Sequence, residues 1–182
     1  VDALYIGGGF PETHARELAE NETFRASLRR RVEEGLPVYA ECGGLIFLGE
    51  SVRFRGKTYP MTGVFPVGFS VEEKPQGHGY AVVKTDRPNA FFASGTVLRG
   101  HEFHYARACG CDIGEIETAF SVRRGCGFHG GRDGLVYKNV LVTFCHVHAL
   151  GEERWARALM KSASSSTARA SSAPAERMDS RI

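Results

Sequence analysis

Long hydrophobic runs and a strong charge of either sign are both missing from this 182-residue sequence. No stretch approaches the roughly 18 consecutive apolar residues of a membrane-spanning helix. Val1–Ile6 has neither the basic nor the apolar region of a secretory signal. The formal net charge of +2 at pH 7 is too small to favour nucleic acid or an anionic membrane as a partner. The composition therefore predicts a soluble cytoplasmic domain without nucleic-acid or membrane partners.

Cysteine is scarce, and its number is odd. The five residues are Cys42, Cys109, Cys111, Cys126 and Cys145. An odd count without a secretory signal argues against a disulfide framework. Zinc on Cys109, Cys111 and Cys126 would define a non-enzymatic interaction module, but gaps of one and fourteen residues do not match the paired ligands of structural zinc sites. The sequence therefore predicts no metal in this chain, and metal analysis would test the zinc alternative.

The N-terminal part of the chain alternates apolar runs with helical patterns. Val1–Ile6 is an apolar run that ends in three glycines, and Leu36–Ala40 is a second one. Between them, Asn21 can cap a helix that Gly35 ends. Strands that alternate with helices are typical of a parallel sheet with helices on its faces. This part therefore predicts an α/β fold.

The later part of the chain has a different pattern. From Val52 to Cys145 short alternating runs are punctuated by glycine, which indicates strands and turns. Glu152–Lys161 is predicted to be a closing helix. Residues 162–182 contain seven Ser and five Ala, and such a composition is typical of a disordered tail. The predicted organisation is one domain over residues 1–161 followed by that tail.

Cys42 lies where a strand should turn sharply into a helix. In a nucleophile elbow small residues stand two before and two after the reactive residue, and here these are Ala40 and Gly44. Such a turn would lift the sulfur out of the sheet and place it at a helix N-terminus, where thiolate is favoured. The N–H of Gly43 would be one oxyanion donor, and Gly7–Gly9 the natural source of a second. The alternative is a buried apolar thiol at a glycine-rich turn.

A thiol nucleophile needs a base, and histidine is the side chain suited to that role near neutral pH. His146 and His148 follow the apolar run Leu141–Cys145, at a strand end where α/β sheets carry their chemistry. They are the best candidates, although a structural role for either stays open. His101 and His104 could equally pack against the sheet.

Four motifs in order carry a resemblance to a known family. They are Gly-Gly-Gly-Phe-Pro-Glu at 7–12, Tyr-Ala-Glu-Cys-Gly-Gly at 39–44, Gly-His-Glu-Phe-His-Tyr at 100–105 and Thr-Phe-Cys-His-Val-His at 143–148. Residues 1–161 resemble the C-terminal glutamine amidotransferase domain of cobyrinic acid and hydrogenobyrinic acid a,c-diamide synthases. The resemblance implies the flavodoxin-like class I fold, a doubly wound and mostly parallel sheet, with earlier strands expected before Val1.

The resemblance also implies a catalytic pair. Cys42 would be the nucleophile that forms a glutamyl thioester, with His146 as its base and His148 as the second choice. Amidotransferases with a full triad carry an acid two residues after the histidine, and that position is His148 here. A Cys-His dyad is therefore expected, and its third member stays open.

Further roles follow from the same resemblance. Gly8, Gly9 and Gly43 would stabilise the tetrahedral oxyanion through their backbone N–H groups. Glu102 or His104 would border the glutamine pocket. These are expectations from matching positions, not from spacing.

The implied partners are glutamine and a corrinoid or another tetrapyrrole acid. The family's N-terminal domain uses ATP and Mg²⁺ to activate two acetate side chains of the corrinoid, which then receive the ammonia. This sequence has no phosphate loop of the Gly-x-x-x-x-Gly-Lys-Ser/Thr type, so this domain itself is expected to hold no cofactor. Two alternatives stay open, namely amidation of sirohaem or nickel sirohydrochlorin and a stand-alone cysteine hydrolase.

Overall fold

The computed structural model describes the backbone of residues 1–110 and 112–171 and, within these, the side chains up to residue 164. The strands are β1 (Leu4–Ile6), β2 (Val38–Glu41), β3 (Ser51–Phe54), β4 (Lys57–Pro60), β5 (Gly68–Val71), β6 (Gly77–Thr85), β7 (Val97–His104), β8 (Ala106–Cys109), β9 (Thr118–Arg124), β10 (Arg132–Tyr137) and β11 (Val140–Thr143). The α-helices are α1 (Ala15–Glu20), α2 (Glu22–Glu33), α3 (Gly43–Leu48) and α4 (Glu153–Ser171), and 3-10 turns cover Pro11–His14 and Ile113–Glu115.

The main sheet has seven strands in the order β1-β2-β11-β10-β9-β6-β7. It is parallel across β1, β2 and β11 and antiparallel from β11 to β7. The α/β prediction is confirmed, but the sheet is mixed rather than mostly parallel. The physical reason is the short loop between β10 and β11, which consists of Lys138 and Asn139. A two-residue loop can link only antiparallel strands, since a parallel link needs a long crossover.

Two apolar cores lie on opposite faces of this sheet. Val38 and Ala40 face a core built with α2, α3 and the smaller sheet β4-β3-β5-β8, whereas Tyr39 faces a second core. The second core contains residues of β6, β7 and β9, and Trp155 of α4 packs against it. Because side chains alternate across a strand, β2 is buried on both faces. The two cores therefore fix the position of its carboxyl end, which precedes Cys42.

The helix predicted between the first two strands is α2. The Asn21 side chain accepts a hydrogen bond from the N–H of Phe24 at 3.2 Å, as a helix cap does. Gly35 follows the helix with φ +95°, a conformation that glycine adopts without strain. Both boundary predictions are confirmed.

The closing helix is longer than predicted. α4 continues through Ser171 rather than ending at Lys161, and residues 172–182, for which the disordered tail stays a prediction, lie outside the described part of the chain. Alanine, lysine and arginine favour helix, and the Ser164 hydroxyl bonds the carbonyl of Met160 one turn earlier at 3.1 Å. None of the described helices is long and apolar enough to span a bilayer.

Candidate active site

Cys42 forms the sharp turn between β2 and α3. Its backbone has φ +45° and ψ −95°, a strained conformation for a residue other than glycine. A Cβ atom at Gly44 would lie 2.7 Å from the carbonyl oxygen of Ile6 and 3.0 Å from the Cβ of Ala40. The turn therefore requires small neighbours, as the elbow prediction states.

The Cys42 thiol is buried and neutral at rest. The residue is only 3% exposed, and its Sγ lies 3.8 Å from the carbonyl oxygen of Phe103. Burial, followed by repulsion from Glu12, raises the pKa of Cys42 to about 12, although the Gly43 N–H favours thiolate. The expectation of a solvent-exposed, partly ionised sulfur is wrong for the unliganded site, because burial outweighs the helix terminus.

His146 lies beside the same turn. β2 and β11 are parallel neighbours, and the N–H of Cys42 donates to the carbonyl of Thr143 at 2.8 Å, so both residues follow the carboxyl ends of adjacent strands. The His146 ring stacks on His101 at 4.8 Å. Burial, and then the charges of His101 and His104, lower the pKa of His146 to about 4. The imidazole is therefore neutral and free to accept a proton.

His148 lies elsewhere. Its side chain is exposed, and its carbonyl accepts the N–H groups of Gly151 and Glu152 just before α4. Of the two histidines, the structure brings His146 and not His148 to the elbow.

The glycine loop 7–9 packs against both the elbow and the His146 ring. A Cβ at Gly43 would lie 2.6 Å from the carbonyl oxygen of Gly9, and one at Gly8 would lie 2.1 Å from Cε1 of His146. Within the described residues, no backbone carbonyl accepts the N–H of Gly8 or Gly9. These free donors lie next to the elbow, where an oxyanion would need them. Their oxyanion role stays a prediction.

Replacing Gly8 by alanine is expected to slow the reaction of this site by about 10²-fold, because a misplacement near 1 Å costs about that much. The new methyl group would occupy the position of the His146 ring. The matched control is Gly9→Ala, whose Cβ would meet nothing within 4 Å and which keeps its N–H. Steady-state rates compare the two variants, and equal rates would contradict the placement of His146 against Gly8.

Glu102 and His104 are both buried residues of β7. The carboxylate of Glu102 is buried and accepts the N–H groups of Cys126 and Gly127 at 2.8 and 2.9 Å. His104 is buried, stacks on Phe144 at 3.8 Å and places Nδ1 2.9 Å from the carbonyl of Ala106. Both side chains point into the core because they alternate on β7 with exposed His101 and Phe103. Glu102 nevertheless lines an open cleft next to the elbow, and a role of either residue at a glutamine pocket stays a prediction.

An open cleft adjoins the elbow. It has a volume of about 460 Å³ and is lined by residues of β6 and β7, namely His78, Gly79, Tyr80, His101, Glu102 and Phe103. Phe103 reaches Cys42 through its carbonyl, and His101 stacks on His146. The volume is typical of a small-molecule site, and the cleft is a route by which a small substrate could approach.

Sequence reasoning missed two buried carboxylates at this site. Glu41 is 3% exposed and accepts the Tyr5 hydroxyl and the Val147 N–H, both at 3.0 Å. Glu12 is 8% exposed, and its Oε2 has no hydrogen-bond partner. The signal was present, since both residues belong to the motifs that contain the glycine loop and Cys42.

A family model described as the CobB/CobQ-like glutamine amidotransferase domain matches residues 1–154. This chain belongs to that family. The family match confirms the resemblance that the four motifs carry, and the amidotransferase domain spans the main sheet and the elbow.

Curated relatives of this amidotransferase domain share one name. The cobyrinate a,c-diamide synthase of Archaeoglobus fulgidus is 42% identical over 90% of this chain and 35% of its own length. The protein of the same name from Magnetococcus marinus is 37% identical over 86% of this chain and 33% of its own length. The chain thus spans about a third of the relatives it matches.

Solved structures share the fold. A glutamine amidotransferase superposes with a TM-score of 0.62 at 21% identity, over 90% of this chain and 80% of that one. The PurLQS structure from Thermotoga maritima gives a TM-score of 0.55 at 15% identity, over 91% of this chain and 79% of that one. These likenesses confirm the amidotransferase fold.

Replacing Glu12 by glutamine is expected to speed alkylation of Cys42 in the free domain. Loss of the nearby negative charge lowers the pKa of the thiol, and half a pKa unit raises the thiolate fraction roughly threefold. Iodoacetamide alkylation over roughly pH 7–10, mapped to Cys42, measures this. The control is Glu17→Gln, because Glu17 is an exposed residue of the nearby helix α1. Identical alkylation rates for both variants would show that Glu12 does not raise the pKa of Cys42.

The zinc alternative can be compared with the structure only at its described cysteines. Cys109 and Cys126 are free thiols, and Cys111 lies outside the described residues. Among the residues that the structure describes, no group of three or more His, Cys, Asp or Glu side chains is placed to hold a metal ion. The expectation of no metal stays a prediction.

Proposed function

We propose that this chain is the glutamine-hydrolysing domain of a cobyrinate a,c-diamide synthase. The observation that carries the proposal is the strained Cys42 turn with His146 beside it, in a chain of the amidotransferase family. The names of the curated relatives support the corrinoid as acceptor.

In the proposed reaction, Sγ of Cys42 attacks the side-chain carbonyl carbon of glutamine while the thiol proton passes to His146. The N–H groups of Gly8, Gly9 and Gly43 are the donors for the oxyanion. The C–N bond then breaks, His146 returns the proton to the leaving nitrogen, and ammonia departs from a γ-glutamyl thioester. Water adds to the thioester with His146 as base, and cleavage of the C–S bond releases glutamate and the thiol.

The remaining two thirds of such a protein would use the ammonia. We propose that an ATP-binding part, with Mg²⁺, activates the a and c acetate side chains of the corrinoid as acyl phosphates, which ammonia then converts to amides. The residues described here would contribute only glutamine hydrolysis.

The test supplies the intact protein with glutamine, ATP, Mg²⁺ and cobyrinate. The proposal predicts formation of the diamide with release of one glutamate for each amide formed. Sirohaem and nickel sirohydrochlorin are the comparison acceptors. Amidation of either one in place of cobyrinate would overturn the assigned acceptor, and the absence of any glutamate release would overturn the glutaminase itself.

A further inference from the structure

A third group faces His146 from the strand that carries the nucleophile. Glu41 is the last residue of β2, directly before Cys42. Its Oε2 lies 3.9 Å from Nδ1 of His146, while Oε1 accepts the N–H of Val147 at 3.0 Å. One carboxylate therefore contacts both the base and the residue after it.

Two other buried acids near this segment bind backbone and hydroxyl groups elsewhere. Asp133 accepts the hydroxyl of Thr143 and the N–H groups of Phe144 and Cys145, so it holds the strand end that precedes His146. Glu102 accepts the N–H groups of the turn after β9. Position 148, where full triads carry an acid, is an exposed histidine. Glu12, the other buried carboxylate of the site, acts on the Cys42 thiol, and among the described residues Glu41 is the carboxylate within 4 Å of the His146 ring.

A charge of this sign is what the reaction requires. His146 rests as a neutral, half-buried ring stacked on His101, and it must become an imidazolium each time it takes the thiol proton. An opposite charge within about 4–6 Å favours the charged form. The separation of 3.9 Å is longer than a hydrogen bond, but hydrogen bonds of catalytic groups are often long in unliganded sites and tighten when substrate binds.

We propose that Glu41 is the positioning residue of this active site, which orients His146 through Nδ1 and stabilises its imidazolium. It replaces the acid that would otherwise follow the histidine by two residues. Tyr5 holds the same oxygen through its hydroxyl at 3.0 Å, and so fixes the carboxylate between β1 and the base. The inference rests on the proposed function.

Charge and hydrogen bonding can be separated by two substitutions in the intact protein. Glu41→Gln keeps an oxygen for the Val147 N–H but removes the charge, whereas Glu41→Asp keeps the charge and shortens the reach to Val147. We expect Glu41→Gln to lower kcat for glutamine hydrolysis by about 10-fold or more, with KM changed less than about twofold, and Glu41→Asp to retain more activity.

The matched control is Glu152→Gln. Glu152 is a buried carboxylate directly before α4 whose partner is Arg154, and we expect its replacement to leave kcat unchanged. A Glu41→Gln enzyme as active as the wild type, or less impaired than Glu41→Asp, would overturn the inference while leaving the glutaminase intact. A wild-type protein without glutaminase activity would instead overturn the proposed function.

A second measurement needs no substitution at Glu41. Because Glu41 faces Nδ1, the proton of neutral His146 is expected on Nδ1, which leaves the lone pair of Nε2 for the thiol. Nitrogen NMR of the wild-type protein reads the tautomer, with His146→Gln used to assign the signal. A proton on Nε2 would contradict the inference, even where a Glu41 variant fails to fold.

Discussion

Replacing Cys42 by alanine is expected to abolish glutamine hydrolysis, with a loss of about 10⁴-fold or more in kcat. Loss of the nucleophile removes the covalent route altogether, and in comparable hydrolases it costs at least that much. The assay is glutamate release by the intact protein at saturating glutamine. Alanine removes only the sulfur from a turn whose neighbours stay in place, so the variant should fold.

The control for this prediction is Cys126→Ala. Cys126 is an exposed free thiol whose described hydrogen bond is made by its backbone N–H. This variant should hydrolyse glutamine at the wild-type rate. Equal losses in both variants would show that thiol content rather than the elbow position matters.

Replacing His146 by alanine is expected to lower the rate by at least about 10²-fold, the usual contribution of general acid–base transfer. The effect should be large because a thiol with a pKa of about 12 rarely ionises unaided. The measurement is again glutamate release, followed near neutral pH where the wild-type imidazole is neutral.

His148→Ala provides the comparison for the base. The side chain of His148 is exposed. Its backbone carbonyl accepts two N–H groups just before α4, and these hydrogen bonds do not depend on the side chain. The rate of glutamate release is expected to fall by less than about twofold, since substitutions of exposed side chains usually change the stability of a protein little. A larger loss at His148 than at His146 would transfer the role of base to His148.

Local signals predicted the elements that position Cys42. Asn21 and Gly35 mark the boundaries of α2 because caps and left-handed stops act within one turn of chain. The small residues around Cys42 predicted the strained turn for a similar reason, since the steric requirement is local. The same is true of His146, because parallel strands end at one edge of a sheet.

Other features depend on distant contacts that no local pattern shows. Arg132–Tyr137 pairs with two neighbours as β10, yet its apolar run is short and follows several glycines. Glu102 has a motif position that suggests substrate binding, but its partners are the N–H groups of a turn 24 and 25 residues later. These contacts could be read only from the fold.

The buried charges illustrate the same limit. The helix terminus at Cys42 predicts thiolate, and only the fold shows that burial of the sulfur, with the nearby charge of Glu12, raises its pKa instead. Glu41 reads in sequence as one more residue of a strand. Its meeting with His146 joins positions 105 residues apart, which requires the parallel pairing of β2 and β11.

The most direct test of the account is covalent capture of the nucleophile. The intact protein is treated with a glutamine analogue that carries an electrophilic diazoketone, and the labelled peptides are mapped by mass spectrometry with and without glutamine. The account predicts one adduct, on Cys42, that glutamine suppresses. An adduct on Cys109, Cys126 or Cys145 with Cys42 unmodified would contradict it.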